Sequence, residues 1–111
     1  MGLTKTDLFN SEQNELAQLA KAFGHPARIA ILQYLLAQNT CVNGTLVQEL
    51  GLAQATISQH LRELKEIGLI QGTIDGVSVN YCIHSENWEK VKNLFNGFFD
   101  SFSTGKTNTC C

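Results

Sequence analysis

The sequence predicts a mainly α domain with one β-hairpin set just before its last helix, on three observations. Apolar residues recur at helical spacing along most of the 111-residue chain. Between Ile70 and Tyr81 the period switches to two, around an Asp75-Gly76 turn signal. Beyond the hairpin, Trp88, Val91, Phe95, Phe98 and Phe102 return to spacings of 3 and 4. With 43% hydrophobic and 16% charged residues, the chain is expected to fold rather than stay disordered. Its length suits one domain, residues 1–102, with a flexible tail over 103–111 that ends in Cys110-Cys111.

Taken in order, Ser11 with Glu12 and Glu15 starts a first helix, expected from Ser11 to Ala22, because acids favour a first turn. Leu16, Leu19 and Phe23 form its stripe. Gly24-His25-Pro26 breaks it, and Pro26 fits the first position of a second helix, where no backbone donor is missed. Ile29, Leu32, Leu35 and Leu36 mark the buried side of that helix, which ends near Gln38-Asn39. His25 is expected to satisfy backbone groups at its start. Asn43 or Thr45 can cap a short third helix, Thr45 with Gln48 making a capping box, with Leu46, Val47 and Leu50 apolar. Only Gly51-Leu52-Ala53 separates it from the next helix, a turn short enough to set the two at a steep angle.

That fourth helix starts at Gln54, although Ala53 is a poor cap. Ile57, Leu61 and Leu64 recur at i, i+4 and i+7 as one buried stripe. Gly51 and Gly68 can end the flanking helices with positive φ. Between the stripe residues stand Gln54, Thr56, Ser58, Gln59, His60 and Arg62, side chains rich in donors and acceptors. Such a face on a helix that follows a tight turn reads as the second helix of a helix-turn-helix.

In the hairpin, a two-residue Asp75-Gly76 loop pairs Ile74 with Val77, Gly72 with Val79 and Ile70 with Tyr81. These share one apolar face, and Gln71, Thr73, Ser78, Asn80 and Cys82 take the other. A hairpin after a helix-turn-helix is a wing, so the fold expected is a winged helix-turn-helix in the order helix-helix-helix-helix-strand-strand-helix. Ser85 is expected to cap the last helix, with Glu86 and Glu89 in its first turn. The aromatic stripe of that helix, with Leu94 and Phe99 beside it, is wider than so small an interior covers. A second copy of the chain is expected to cover it, making a homodimer. On that helix the interface would hold Trp88, Val91, Phe95, Phe98 and Phe102.

The formal charge of -2 argues against a nonspecific nucleic-acid coat, yet leaves room for sequence reading through a few placed contacts. No apolar run approaches a membrane span and no signal-peptide core is visible, so a cytoplasmic protein without a membrane partner is expected. Met1-Gly2-Leu3-Thr4-Lys5-Thr6 matches the loose myristoylation pattern, which recurs by chance. Gly105-Lys106-Thr107 is not a phosphate loop, because Asp100 stands where that pattern needs glycine. Nothing assembles a nucleophile, a base and an orienting group, so no enzyme is expected. Four cysteines are too few for a disulfide scaffold and, in a reducing compartment, should be free thiols.

Gly24-His25-Pro26-Ala27-Arg28, the run Leu52 to Leu61, Glu66-Ile67-Gly68-Leu69-Ile70, Asp75-Gly76 and Tyr81 occur in an order that resembles the arsenic-repressor (ArsR/SmtB) family of bacterial winged-helix repressors. The resemblance covers roughly Leu16 to Phe102. It implies a symmetric dimer built from the first and last helices, which adds Leu16, Leu19 and Phe23 to the interface, on double-stranded operator DNA with recognition helices in successive major grooves, and repression relieved by an effector. The chemistry of the residues agrees: Gln54, Gln59 and Arg62 can make bidentate base contacts, while Thr56, Ser58 and Lys65 suit phosphates. His60 joins that face, and Thr73, Asp75, Gly76 and Ser78 of the wing can reach an adjacent groove. No cofactor is required. Members of the family often sense metals or metalloids through a Cys-x-Cys element; here Cys41-Val42-Asn43 lacks the second cysteine. Cys41, Cys82, Cys110 and Cys111 remain as thiol candidates, and arsenite, antimonite or a soft metal ion is the effector class implied. Two other readings stand beside this one: a thiol redox-responsive repressor, and a winged-helix module for protein contacts that does not bind DNA.

Overall fold

The computed structural model describes residues 8–38, 40–43, 50–75 and 78–102. Helix α1 runs Ser11–Phe23 and α2 Pro26–Gln38, and a short strand β1 (Val42–Asn43) follows. Helix α3 (Gln54–Glu66) leads into strands β2 (Ile70–Asp75) and β3 (Ser78–Ile83), and α4 spans Ser85–Asp100. This is a mainly helical winged helix-turn-helix. The short helix expected at Thr45–Leu50 lies outside the described residues except for Leu50, which is helical.

Local signals account for most boundaries. Helix α1 starts at Ser11, as expected, behind a capping box: Asn10 Oδ1 accepts from Gln13 N at 2.8 Å, and Gln13 Oε1 accepts from Asn10 N at 3.0 Å. Pro26 is the first residue of α2, and His25 Nδ1 accepts from Ala27 N at 3.2 Å. Gly51 and Gly68 both take positive φ, 72° and 90°. The last helix departs from expectation. Its cap is His84, whose Nδ1 accepts from Asn87 N at 3.2 Å, and Ser85 is the first helical residue. The Asn87 side chain then donates to Gly68 O at 3.0 Å, which ties the start of α4 to the end of α3.

Strands β2 and β3 pair antiparallel, with Ile70 opposite Ile83, Gly72 opposite Tyr81 and Asp75 opposite Ser78. The register is two residues away from the one a loop at Asp75-Gly76 would impose, so the expected pairs Ile74–Val77, Gly72–Val79 and Ile70–Tyr81 do not form. An even slip keeps the alternation, so Ile70 and Tyr81 are still buried while Gln71, Thr73 and Asn80 are exposed, as predicted. A further strand unforeseen in the sequence completes a three-stranded sheet, β1 lying against β3 with Val42 opposite Tyr81.

The core gathers Leu19 and Ala22 of α1, Ile31, Leu32 and Leu35 of α2, Ile57, Leu61 and Leu64 of α3, then Leu69, Ile70 and Tyr81. None of its side chains comes from α4, whose Trp88, Val91, Leu94 and Phe95 only lean on it. Phe23 meets Trp88 and Phe95 edge-on, with centroids 6.2 and 6.0 Å apart.

Helices α2 and α3 are also joined by a polar contact. His60 is 8% exposed, and its Nδ1 accepts from Arg28 Nε at 3.2 Å while the His25 ring lies 4.5 Å away, edge-on. Burial first, then the neighbouring His25 and Arg28, hold the His60 pKa below its usual 6.5. The native ring thus resists a proton that the unfolded chain accepts. Below pH 6.5 the unfolded state binds more protons, so this contribution to stability is complete above that value and is lost as pH falls. The melting temperature is therefore expected to drop as the pH falls below 6.5, and the drop should be shallower in His60→Asn. Equal slopes would remove the ring from the account. A second prediction concerns Gly72, which holds φ 133° against β3, where an added Cβ would strike the backbone of Asn80 and Tyr81. Gly72→Ala is expected to cost about 2 kcal/mol or more in urea unfolding.

Candidate nucleic-acid interface

With Ile57, Leu61 and Leu64 turned inward, α3 presents Gln54, Ala55, Thr56, Gln59, Arg62, Lys65 and Glu66 to solvent. Two residues expected on this surface are not there. Ser58, 9% exposed, and His60, 8% exposed, point toward the protein, because Ser58 lies three residues before Leu61 and His60 three after Ile57 and four before Leu64, on the face of the apolar stripe. Ser58 Oγ instead accepts from Gln54 Nε2 at 3.1 Å, and His60 is engaged by Arg28. At the helix start, Ala53 makes no side-chain cap, as expected, so the first-turn amides are left to water or an external anion.

Sequence reasoning gave Arg28 and Glu63 no role, yet both shape this face. The Arg28 guanidinium forms an ion pair with Glu63 Oε2, with side-chain exposures of 17% and 37%. Glu63 Oε1 accepts from Gln59 Nε2 at 3.1 Å. The carboxylate is thereby neutralised where a bare negative charge would oppose a phosphate backbone. Gln59 and Glu63, four apart on one helix, were a signal available in the sequence. Arg28 is 35 residues from Glu63, and no local pattern announces that pair.

On the wing, Thr73 is exposed beside exposed Gln71 and Asn80. Asp75 and Ser78 close the described ladder, and Gly76 lies outside the described residues. Of the proposed interface residues, Leu19 is 5% exposed and belongs to this chain's own core, a correction to its expected place between subunits. Leu16, Phe23, Trp88, Val91 and Phe95 are half-buried, whereas Phe98, Phe99 and Phe102 are 57, 65 and 64% exposed.

The cysteines were expected as free thiols. Cys41 and Cys82 are instead joined by a disulfide, their Cα atoms 4.3 Å apart. The cause is β1: carrying its register with β3 back by one residue sets Cys41 directly opposite Cys82. Beside the bond lies an open cavity of about 340 Å³ lined by Leu35, Leu36, Thr40 and Ile83, and the Gln71 amide reaches Cys82 Sγ at 3.8 Å. Among the described residues no group of three or more His, Cys, Asp or Glu side chains could hold a metal ion. Cys110 and Cys111 lie outside the described residues. No helix among the described residues is long and apolar enough to cross a membrane.

Residues 25–71 match the sequence model described as bacterial regulatory protein, arsR family. The HTH-type transcriptional regulator CmtR of Mycobacterium tuberculosis is 37% identical over 71 residues, covering 64% of this chain and 59% of that one. The chain thus spans less than two thirds of that relative. The HTH-type transcriptional regulator YgaV of Escherichia coli is 31% identical over 84 residues, 76% of this chain and 85% of the relative. The crystal structure of Mycobacterium tuberculosis Rv0081 superposes with a TM-score of 0.58 at 24% identity, over 84% of this chain and 97% of that one, a likeness of fold. With most of YgaV matched and the helix-turn-helix inside the arsR segment, the chain belongs to the arsR family of bacterial transcriptional regulators.

Proposed function

We propose that the chain is a repressor that reads operator DNA as a homodimer, with α3 in the major groove. The observation that carries this reading is the outward face of α3. Gln54, Thr56, Gln59 and Arg62 are all exposed, with nothing of the described fold stacked over them. Arg62 suits guanine, the two glutamines suit adenine, and Lys65 with the uncapped helix start suits phosphates. Thr73 lies where a wing would meet the neighbouring backbone. The exposed Phe98 and Phe99 near the end of α4, with exposed Phe102 just beyond it, favour a two-fold partner along a helix that places no fully buried side chain in the core. Such a dimer would set two α3 helices about 34 Å apart, one turn of DNA.

Operator affinity, measured by fluorescence anisotropy on a palindromic duplex from upstream of the chain's own gene, tests this. Arg62→Ala is expected to lose about 1–3 kcal/mol. The few cations on the surface predict a shallow salt dependence, about 4 to 6 phosphates per dimer at about -0.9 each in log–log slope. A slope near -10, or an unchanged affinity in Arg62→Ala, would contradict the assignment. Absence of any binding to the duplex would favour the protein-contact reading.

The disulfide supports a second reading, in which the effector is an oxidant. Arsenite and soft metal ions take thiolates, and two bonded sulfurs offer none, so the metalloid effector does not fit this pair as it stands. In a reducing compartment a disulfide is usually transient and redox-sensing. The step balances simply: Cys41 and Cys82 thiols lose two protons and two electrons to a small-molecule disulfide, which leaves as two thiols. Closing a loop 41 residues apart would constrain the unfolded chain by about 4 kcal/mol and tether the wing to the end of α2. The oxidised chain is expected to bind operator at least about fivefold more weakly than the chain reduced with dithiothreitol, about 1 kcal/mol. Cys41→Ser should hold the reduced affinity under both conditions. Identical binding by both wild-type forms would end this reading.

A further inference from the structure

We propose that Arg28 and Glu63 are positioning residues that turn the Gln59 amide so that it reads adenine. The inference rests on the DNA-reading function proposed above and deepens it by naming the residues that fix which way one reading amide faces.

A glutamine amide shows a donor end and an acceptor end, and a free side chain can offer either to a base. Gln59 is not free. Its Nε2 donates to Glu63 Oε1 at 3.1 Å. An ionised carboxylate only accepts, so the opposite amide orientation would set oxygen against oxygen. Glu63 cannot swing away, because its other oxygen is paired with Arg28. Arg28 is held in turn through Nε, which donates to His60 Nδ1 at 3.2 Å on the buried side of the same helix. Gln54, the other amide on this face, makes a useful contrast. Its partner is the Ser58 hydroxyl at 3.1 Å, which donates as readily as it accepts and leaves that amide's orientation open.

With one Nε2 hydrogen engaged by Glu63, Gln59 shows an outward edge of one N–H beside one carbonyl oxygen. Adenine offers the matching pair in the major groove, the N7 acceptor beside the N6 donor. Guanine offers two acceptors, O6 and N7, so one would face the Gln59 oxygen. Thymine O4 and cytosine N4 each satisfy only half of the edge.

The test starts from a random duplex library selected with the full-length wild-type chain, reduced. The selected duplex should contain, in each half-site, one adenine whose replacement by guanine lowers affinity by about fivefold to 150-fold. Replacement by 7-deazaadenine, which lacks the N7 acceptor, should lower it as well. Gln59→Ala should abolish the preference at that position alone. Glu63→Gln, whose amide accepts or donates, should also abolish it while the guanine preference ascribed to Arg62 persists. The ratio of adenine to guanine affinity within one variant does not depend on its folded fraction. Nuclear relaxation of the Gln59 side-chain amide in the free wild-type chain provides a check that needs no variant: it should be markedly more ordered than other exposed glutamine amides. A preference kept in Glu63→Gln, no adenine that depends on Gln59, or a freely mobile amide would each overturn the proposal. If no duplex is enriched at all, DNA reading itself fails, a result distinct from these.

Discussion

The rotation of α3 about its own axis is the constraint from which the rest follows. Ile57, Leu61 and Leu64 are at most 2% exposed, and burying each is worth about 1.5–3 kcal/mol. Turning the helix by one residue, about 100°, would bring those side chains into water and drive Gln59 or Arg62 toward the core. The outward set is therefore a consequence of packing, without any need for the polar residues to choose their side. The same rotation brings His60 and Glu63 within reach of Arg28, which then braces α3 against α2. Hydrophobic burial sets the orientation, and the guanidinium fork refines it.

How much of this was legible in the sequence depended on the range of the interaction. The helices of 13 or more residues announced themselves through periodicity and breakers, and α1, α2 and α3 start or end within a residue or two of expectation. The hairpin was legible as a pattern of faces, because alternation fixes parity; its register was not, since slipping two residues costs no burial. His84 displaces Ser85 as a cap because the choice turns on where the chain leaves β3, a tertiary matter. Ser58 and His60 were misplaced for a related reason. Polarity was read as exposure, while the wheel sets both beside the stripe, and long-range partners satisfy one of them. Cys41 and Cys82 meet only through β1, a two-residue strand too short to leave any periodic trace.

The division of labour along α4 explains how so short a chain can fold and still hold an adhesive surface. The half nearer the hairpin leans on the core through Trp88, Val91, Leu94 and Phe95, with Phe23 wedged edge-on between two of the rings. The far half carries Phe98 and Phe99 in the open, with Phe102 exposed just past its end, and Phe95 and Phe99 stack with centroids 6.3 Å apart. An aromatic surface of that kind is costly in water unless something covers it, and a helix that contributes nothing to its own core is free to serve two cores at once.

Helix α2 connects these features. Near its start Arg28 grips α3, and three residues past its end Cys41 is bonded to β3 of the wing. The helix is about 20 Å long, and its middle is locked by Ile31, Leu32 and Leu35, none more than 2% exposed. The two elements that would face DNA, the α3 surface and the sheet, are thus fastened to opposite ends of one rigid rod. Their separation cannot be altered from within α2 without opening the core. It can be altered at the fastenings, where the bonds are a part-buried ion pair and a disulfide beside an open cavity. Regulation of the readout geometry should therefore act at those two joints, and the sulfur joint is the one whose chemistry is reversible without a change in pH.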